Sequence, residues 1–205
     1  MSDWKPYYQE LAAALTPYEQ RQGELIAFLE ALRAQGRTIT PLQDENAAGE
    51  KFLLEEIDPF TVMGVFNRGI KPTERARIAE AFREYFAVNA PAPTDFTGIP
   101  TLHNLRSWFL RFEKKRNPGD VAALWHLFAL AQQPQPFANA EFMEALNTTF
   151  ALQGININLT TGLYWLQPGA FLPLDAATRA RYSLPTPKQL TGDAYAKIVA
   201  NVYGE

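Results

Sequence analysis

Asp58-Pro59-Phe60-Thr61-Val62-Met63-Gly64-Val65-Phe66-Asn67-Arg68-Gly69-Ile70 is the stretch on which the reading of this chain turns. Asp58 offers a side-chain acceptor at an N-cap, and Pro59 brings a preset φ to the first helical position, so a helix starts here. The spacing predicts a short helix ending at Phe66-Asn67-Arg68-Gly69, with Gly69 in the left-handed conformation that terminates it. A second helix is predicted from Pro72-Thr73 to about Val88. Its buried stripe is Ile78, Ala81, Phe82, Tyr85 and Phe86, with Arg75, Arg83, Glu80 and Glu84 largely outward. The rigid connector Pro91-Ala92-Pro93-Thr94 leads to Phe96-Thr97-Gly98-Ile99-Pro100 and then to Ser107-Trp108-Phe109.

Outward from this stretch the helical pattern continues in both directions. Leu25, Phe28, Leu29 and Leu32 repeat at helical spacing before Gly36, so residues 5–35 read as one or two helices with Pro17 as a break. Residues 36–49 read as a loop with a short extended piece at Thr38-Ile39-Thr40. Asn117-Pro118-Gly119-Asp120 is a second helix start, followed by the apolar face Val121, Leu124, Trp125 and Phe128. Phe142, Ala145, Leu146, Thr149 and Phe150 mark the next helix, and Gly154 stands just past its end. Ile155, Ile157 and Leu159 alternate with asparagines, and Leu163-Tyr164-Trp165-Leu166 is apolar on both faces, which predicts strand. A short helix around Asp175–Tyr182 and a final one bearing Tyr195, Ile198, Val199 and Val202 complete the pattern. The expected fold is α+β and mainly α-helical, a helical bundle-like core with a small β element near residues 155–166. Residues 1–51 are expected as an N-terminal helical segment and 52–205 as the main domain, together one compact unit.

With 205 residues, 47% hydrophobic and 13% aromatic, the chain can bury a substantial core. It has no cysteine, which excludes disulfides and thiolate metal sites and fits a reducing, cytoplasmic setting. No run of 18 apolar residues occurs, so no membrane association is expected. The net charge of −3 hides a division. Residues 68–116 carry ten Lys/Arg against five acids, while the remainder carries nine against seventeen. A locally basic segment in an acidic protein is the footprint of a polyanion partner, and solvated helix faces produce the same statistics.

Catalytic motifs are sparse. His103 and His126 are the only histidines and have no metal-ligand spacing. Neither a dinucleotide fingerprint nor a phosphate loop is present, and none of Ser2, Ser107 and Ser183 lies in a nucleophile elbow. No cofactor, metal site or catalytic residue is therefore expected. The one enzymatic alternative is Asp95 followed by Glu113-Lys114-Lys115, the acid and Glu-x-Lys pattern of Mg²⁺-dependent nucleases, with Glu113 on a strand in which Trp108, Leu110 and Phe112 alternate with Phe109, Arg111 and Glu113. Lys114-Lys115-Arg116 reads either as a solvated helix end or, with Arg106 and Arg111, as a phosphate-contact cluster. Trp108 and Trp125 suit a core as well as a ligand platform. Trp165, beside Tyr164 and before a proline-rich loop, is the candidate aromatic wall for a flipped or modified base.

The order Asp58-Pro-Phe, Phe66-Asn-Arg-Gly-Ile, Phe96-x-Gly-Ile-Pro, Ser107-Trp-Phe, Leu124-Trp125, Leu159-Thr-x-Gly-Leu-x-Trp165, Phe171-Leu-x-Leu-Asp175 and Arg179 resembles the N-terminal region of McrB-like AAA-family ATPases, the 5-methylcytosine-specific restriction enzyme B group. The resemblance spans about residues 52–182. It implies a non-catalytic recognition domain of a defence system, acting in cis with a nucleotide-hydrolysing AAA motor that recruits a separate nuclease subunit. The implied partner is DNA, methylated or hydroxymethylated DNA included. Candidate contacts are Arg106, Arg111, Lys114, Lys115 and Arg116 to phosphates, and Asn67, Arg68, Trp108 and Trp165 to bases or groove shape. A protein-interaction domain of the same system is the alternative.

Overall fold

Asp58 caps as its position predicts: its Oδ1 accepts from the Thr61 N–H at 2.8 Å and its Oδ2 from the Thr61 hydroxyl at 2.6 Å. Pro59 opens helix α3, Pro59–Gly64, which is buried along its whole length. The computed structural model describes residues 4–104, 107–187 and 189–204. Before α3 lie α1 (Lys5–Leu15), a 3₁₀ stretch at Thr16–Arg21 containing the predicted Pro17 break, and α2 (Gln22–Ala34). After it come α4 (Pro72–Tyr85), α5 (Asp120–Leu130), α6 (Ala140–Ala151), α7 (Asn158–Leu166), α8 (Ala176–Arg181) and α9 (Gly192–Tyr203). The fold is α+β and mainly α-helical. One hydrophobic cluster runs from Tyr7 on α1 to Val199 on α9.

The β element lies elsewhere than the sequence predicts. Residues 158–166 form α7, and the strands are β1 (Gln43–Glu45) and β2 (Lys51–Leu53), paired antiparallel with Asp44 opposite Phe52. The physical reason is burial: seven of α7's nine residues are buried, so it is enclosed nearly all round and its apolar Leu163–Leu166 run mimics a buried strand. Gly162 permits this packing, since a Cβ there would stand 2.6 Å from Phe60 Cδ1 on α3. Helix α1 covers another face of α7. The hairpin, in turn, escapes prediction because its strands are only three residues long and β1 is Gln-Asp-Glu. Its turn is tied by Asn46 Oδ1, which accepts from the N–H groups of Ala48 and Glu50 at 3.0 Å each.

Two further expectations are corrected inside the core. Helix α3 ends at Gly64, before the predicted cap, and Gly69 is not in the left-handed region. Arg75 is 6% exposed and not outward. Its Nε donates to Phe66 O at 2.7 Å and its Nη2 to Asn67 Oδ1 at 3.0 Å, while its guanidinium lies 3.9 Å from the Phe96 ring centroid. Asn67 Oδ1 also accepts from the Tyr8 hydroxyl, and Asn67 Nδ2 donates to Met63 O at 2.9 Å. This knot holds α1, α3 and α4 together through neutral acceptors and a ring face. Burial lowers the affinity of Arg75 for its proton and raises that of the Tyr8 hydroxyl.

Candidate nucleic-acid interface

Residues 107–116 form one wall of a cleft of about 580 Å³, and the hairpin forms the other. The wall hangs from two supports. At its inner end the Phe109 N–H donates to the Thr61 hydroxyl oxygen at 3.3 Å, and Thr61 is held by Asp58, so the cap of α3 positions the segment. Gly64 helps by closeness: a Cβ there would lie 3.4 Å from Ser107 O. At its outer end, Asp44 Oδ1 accepts from the Glu113 N–H at 2.7 Å. Arg116 Nη1 lies 2.7 Å from Asp44 Oδ2 at an angle that makes an ion pair without a directed hydrogen bond. Lys114 Nζ donates to Glu45 Oε1 at 2.6 Å. Asp44, 1% exposed, is thus the staple between hairpin and wall.

The side chains facing this cleft are mixed in a consistent way. Trp108 is half-buried and Phe112 is 45% exposed, supplying ring faces. Lys51, Arg111, Lys114 and Lys115 supply cations along the rim. Lys51 and Lys115 make no ion pair among the described residues. The Arg111 stem runs over Gly154, whose φ is +102° and where a Cβ would stand 2.8 Å from Arg111 Cγ. A side chain at 154 displaces Arg111 from its present course.

The predicted contact residues therefore separate into groups. Trp108, Arg111, Lys114 and Lys115 converge on the cleft. Arg116 lies beneath it, bound to Asp44 and donating from Nη1 to Arg111 O at 3.1 Å. Trp165 is fully buried and its Nε1 donates to Pro100 O at 3.0 Å, so it is core and not an aromatic wall. Asn67 is fully buried in the Arg75 knot. Arg68 is 7% exposed and donates to Val65 O and Thr38 O. Neither reaches a groove without local unfolding. Arg106 lies outside the described residues. Trp125 is core too, donating to Ile57 O at 3.0 Å.

Sequence reasoning missed Asp44, Glu45 and Lys51 because it missed the hairpin; the only local signal was the Asn46-Ala47-Ala48-Gly49 turn. The strand expected to carry Glu113 is absent from the described residues of the wall. Glu113 opens a 3₁₀ turn, Glu113–Lys115, and Asp95 Oδ1 is engaged by the Thr97 N–H at 2.9 Å. Among the described residues, no group of three or more His, Asp or Glu side chains is placed to hold a metal ion. No described helix is long and apolar enough to cross a membrane.

Fold and cleft together define a mainly α-helical α+β domain with a cationic, aromatic-lined groove at one edge. The family model described as Domain of unknown function (DUF8425) matches residues 4–205, and the chain belongs to that family. No curated protein and no solved structure matches it.

Proposed function

We propose that this domain recognises DNA through the cleft between the β1–β2 hairpin and residues 107–116, as a non-catalytic recognition module of a McrB-like restriction system in the cytoplasm. The observation that carries the reading is the interleaving of ring faces and cations on one cleft: Trp108 and Phe112 with Lys51, Arg111 and Lys115. Cations at the rim hold the backbone in register through phosphate contacts. Exposed rings beside them stack on unpaired or extruded bases, at about 1–3 kcal/mol per base. Lys114 and Arg116 contribute less charge than the sequence implies, since Glu45 and Asp44 neutralise them. An AAA motor in cis and its nuclease subunit complete the proposed system.

Anisotropy titration of labelled duplexes that are unmodified or carry 5-methylcytosine, 5-hydroxymethylcytosine or N6-methyladenine tests this reading. Preference for one modified duplex, lost on Trp108→Ala, is the expected result; uniformly negligible binding refutes it. A second reading, a docking surface for a protein of the same system, is favoured by the two ion pairs that leave the cleft less basic than its sequence. Capture of the motor or nuclease subunit that survives Lys51→Glu and Lys115→Glu, with no DNA binding by the wild type, selects that reading.

A further inference from the structure

The cleft wall is tied to the core through a carboxyl group that meets no cation. Asp58 is buried, and its Oδ2 stands 2.6 Å from the Thr61 hydroxyl oxygen, which itself accepts from the Phe109 N–H at 3.3 Å. Phe109 is the inner end of the wall. Its ring lies 5.5 Å from that of Phe60 between centroids, and Trp108, Leu110, Arg111 and Phe112 beside it line the cleft. One hydroxyl therefore separates a buried acid from the backbone of the wall.

No ion pair engages Asp58 among the described residues. Helices α5 and α7 pack on α3 and carry Asp120, His126 and Tyr164 as their titratable groups. Asp120 Oδ2 accepts from the Asn117 N–H at 2.9 Å, and His126 lies 3.5 Å from Glu141. On the wall, Lys114 and Arg116 pair with Glu45 and Asp44, the Arg111 stem runs over Gly154, and Glu113 and Lys115 are exposed. Glu55 and Glu56, just ahead of Asp58, are exposed as well. Burial raises the affinity of the Asp58 carboxyl for a proton, against the opposing hydrogen bonds from Thr61 and from the N–H groups of Phe60 and Asp58 itself.

With a proton on Oδ2 the cluster is neutral. The carboxyl O–H donates to Thr61 Oγ1, Oδ1 accepts from the Thr61 N–H, and the second lone pair of Thr61 Oγ1 serves the Phe109 N–H. Loss of that proton leaves a buried charge without a cation, a costly arrangement until water reaches it. We propose that Asp58 is a proton-operated latch on the cleft: protonated, it holds residues 107–110 against α3, and ionised, it favours their lifting, which hydrates the carboxylate. The inner wall then detaches more readily as pH rises. As regulation of DNA binding the latch rests on the reading proposed above; as a motion of the wall it does not, and no DNA is needed to observe it.

Amide hydrogen exchange of the isotope-labelled 205-residue chain, followed by NMR and divided by the intrinsic rate at each pH, reads the latch at the Phe109 N–H. The protection of Phe109 falls at least about tenfold from pH 4 to pH 7 and levels off above about 6. At every pH it stays below that of Leu127 and Phe128 in the core of α5, and low urea leaves it unchanged, because the wall opens without the rest of the molecule. Asp58→Asn keeps an N-cap residue and removes the titration, so Phe109 protection in that variant does not change with pH. Circular dichroism shows whether the variant folds; if it does not, the pH and urea profile of the wild type decides alone. Phe109 protection that is constant or rises with pH overturns the proposal. So does protection that equals that of α5 and falls with low urea, or a pH dependence that persists in folded Asp58→Asn.

Discussion

Asp58 is 4% exposed, and burial pushes its carboxyl up to about 6 despite the hydrogen bonds from Thr61 that act in the other direction. The folded state therefore holds this proton at pH values where the unfolded chain has released it. Its contribution to stability is full below the unfolded value near 4 and is lost as pH rises through 6. The expected result is a difference in unfolding free energy between wild type and Asp58→Asn that changes by about 2 kcal/mol from pH 4 to pH 7, with the wild type losing ground. Urea melts at the two pH values measure it, and a pH-independent difference contradicts the assignment. Arg75 gives a second test at this scale. Arg75→Ala leaves Phe66 O without its donor and deprives Asn67 Oδ1 of one, with an expected cost of about 2–3 kcal/mol. Arg83→Ala, on the solvated side of the same helix, leaves the denaturation midpoint unchanged.

Among the elements, the hairpin and α7 have the largest consequences, and both were hidden in the sequence. Capping signals were legible at Asp58-Pro59, and the start at Asn117-Pro118-Gly119-Asp120 is present with its N-cap moved to Gly119, Asp120 Oδ2 accepting from the Asn117 N–H at 2.9 Å. Those signals are local, a side chain meeting a backbone N–H within three residues, and survive any tertiary context. Helix α7 was misread because the apolar run Leu163–Leu166 specifies burial without specifying its period. The outward assignment of Arg75 failed for the converse reason, since its partners are carbonyl and amide groups that hydropathy does not reveal. Of the cleft, Trp108, Arg111, Lys114 and Lys115 were legible as chemistry; the acidic wall opposite them was not. Gly162→Ala is expected to cost about 1–3 kcal/mol, because Phe60 is fully buried and has little room to yield. Asp44→Ala leaves Arg116, with its side chain 12% exposed, without its carboxylate and cuts the hairpin from the wall, at an expected 3–5 kcal/mol or about that order. Lys114→Ala, whose pair with Glu45 is partly solvated, costs less than about 1 kcal/mol. Chemical denaturation of the pair of variants ranks the two contacts, and equal effects contradict the view of Asp44 as the staple.

Across the whole molecule, an acidic protein keeps its unpaired cleft cations on one side of a hairpin that also neutralises their neighbours. DNA bound there meets Lys51, Arg111 and Lys115 as phosphate contacts, and three such contacts imply that affinity falls by one to two orders of magnitude between roughly 50 and 200 mM salt. The most direct measurement is fluorescence anisotropy of labelled DNA at those two salt concentrations, comparing wild type with Lys51→Glu/Lys115→Glu. The account predicts salt-sensitive binding by the wild type and at least about tenfold weaker binding with a shallower salt dependence in the variant. Absence of binding by the wild type, salt-independent binding, or equal affinity in the charge-reversed variant contradicts it.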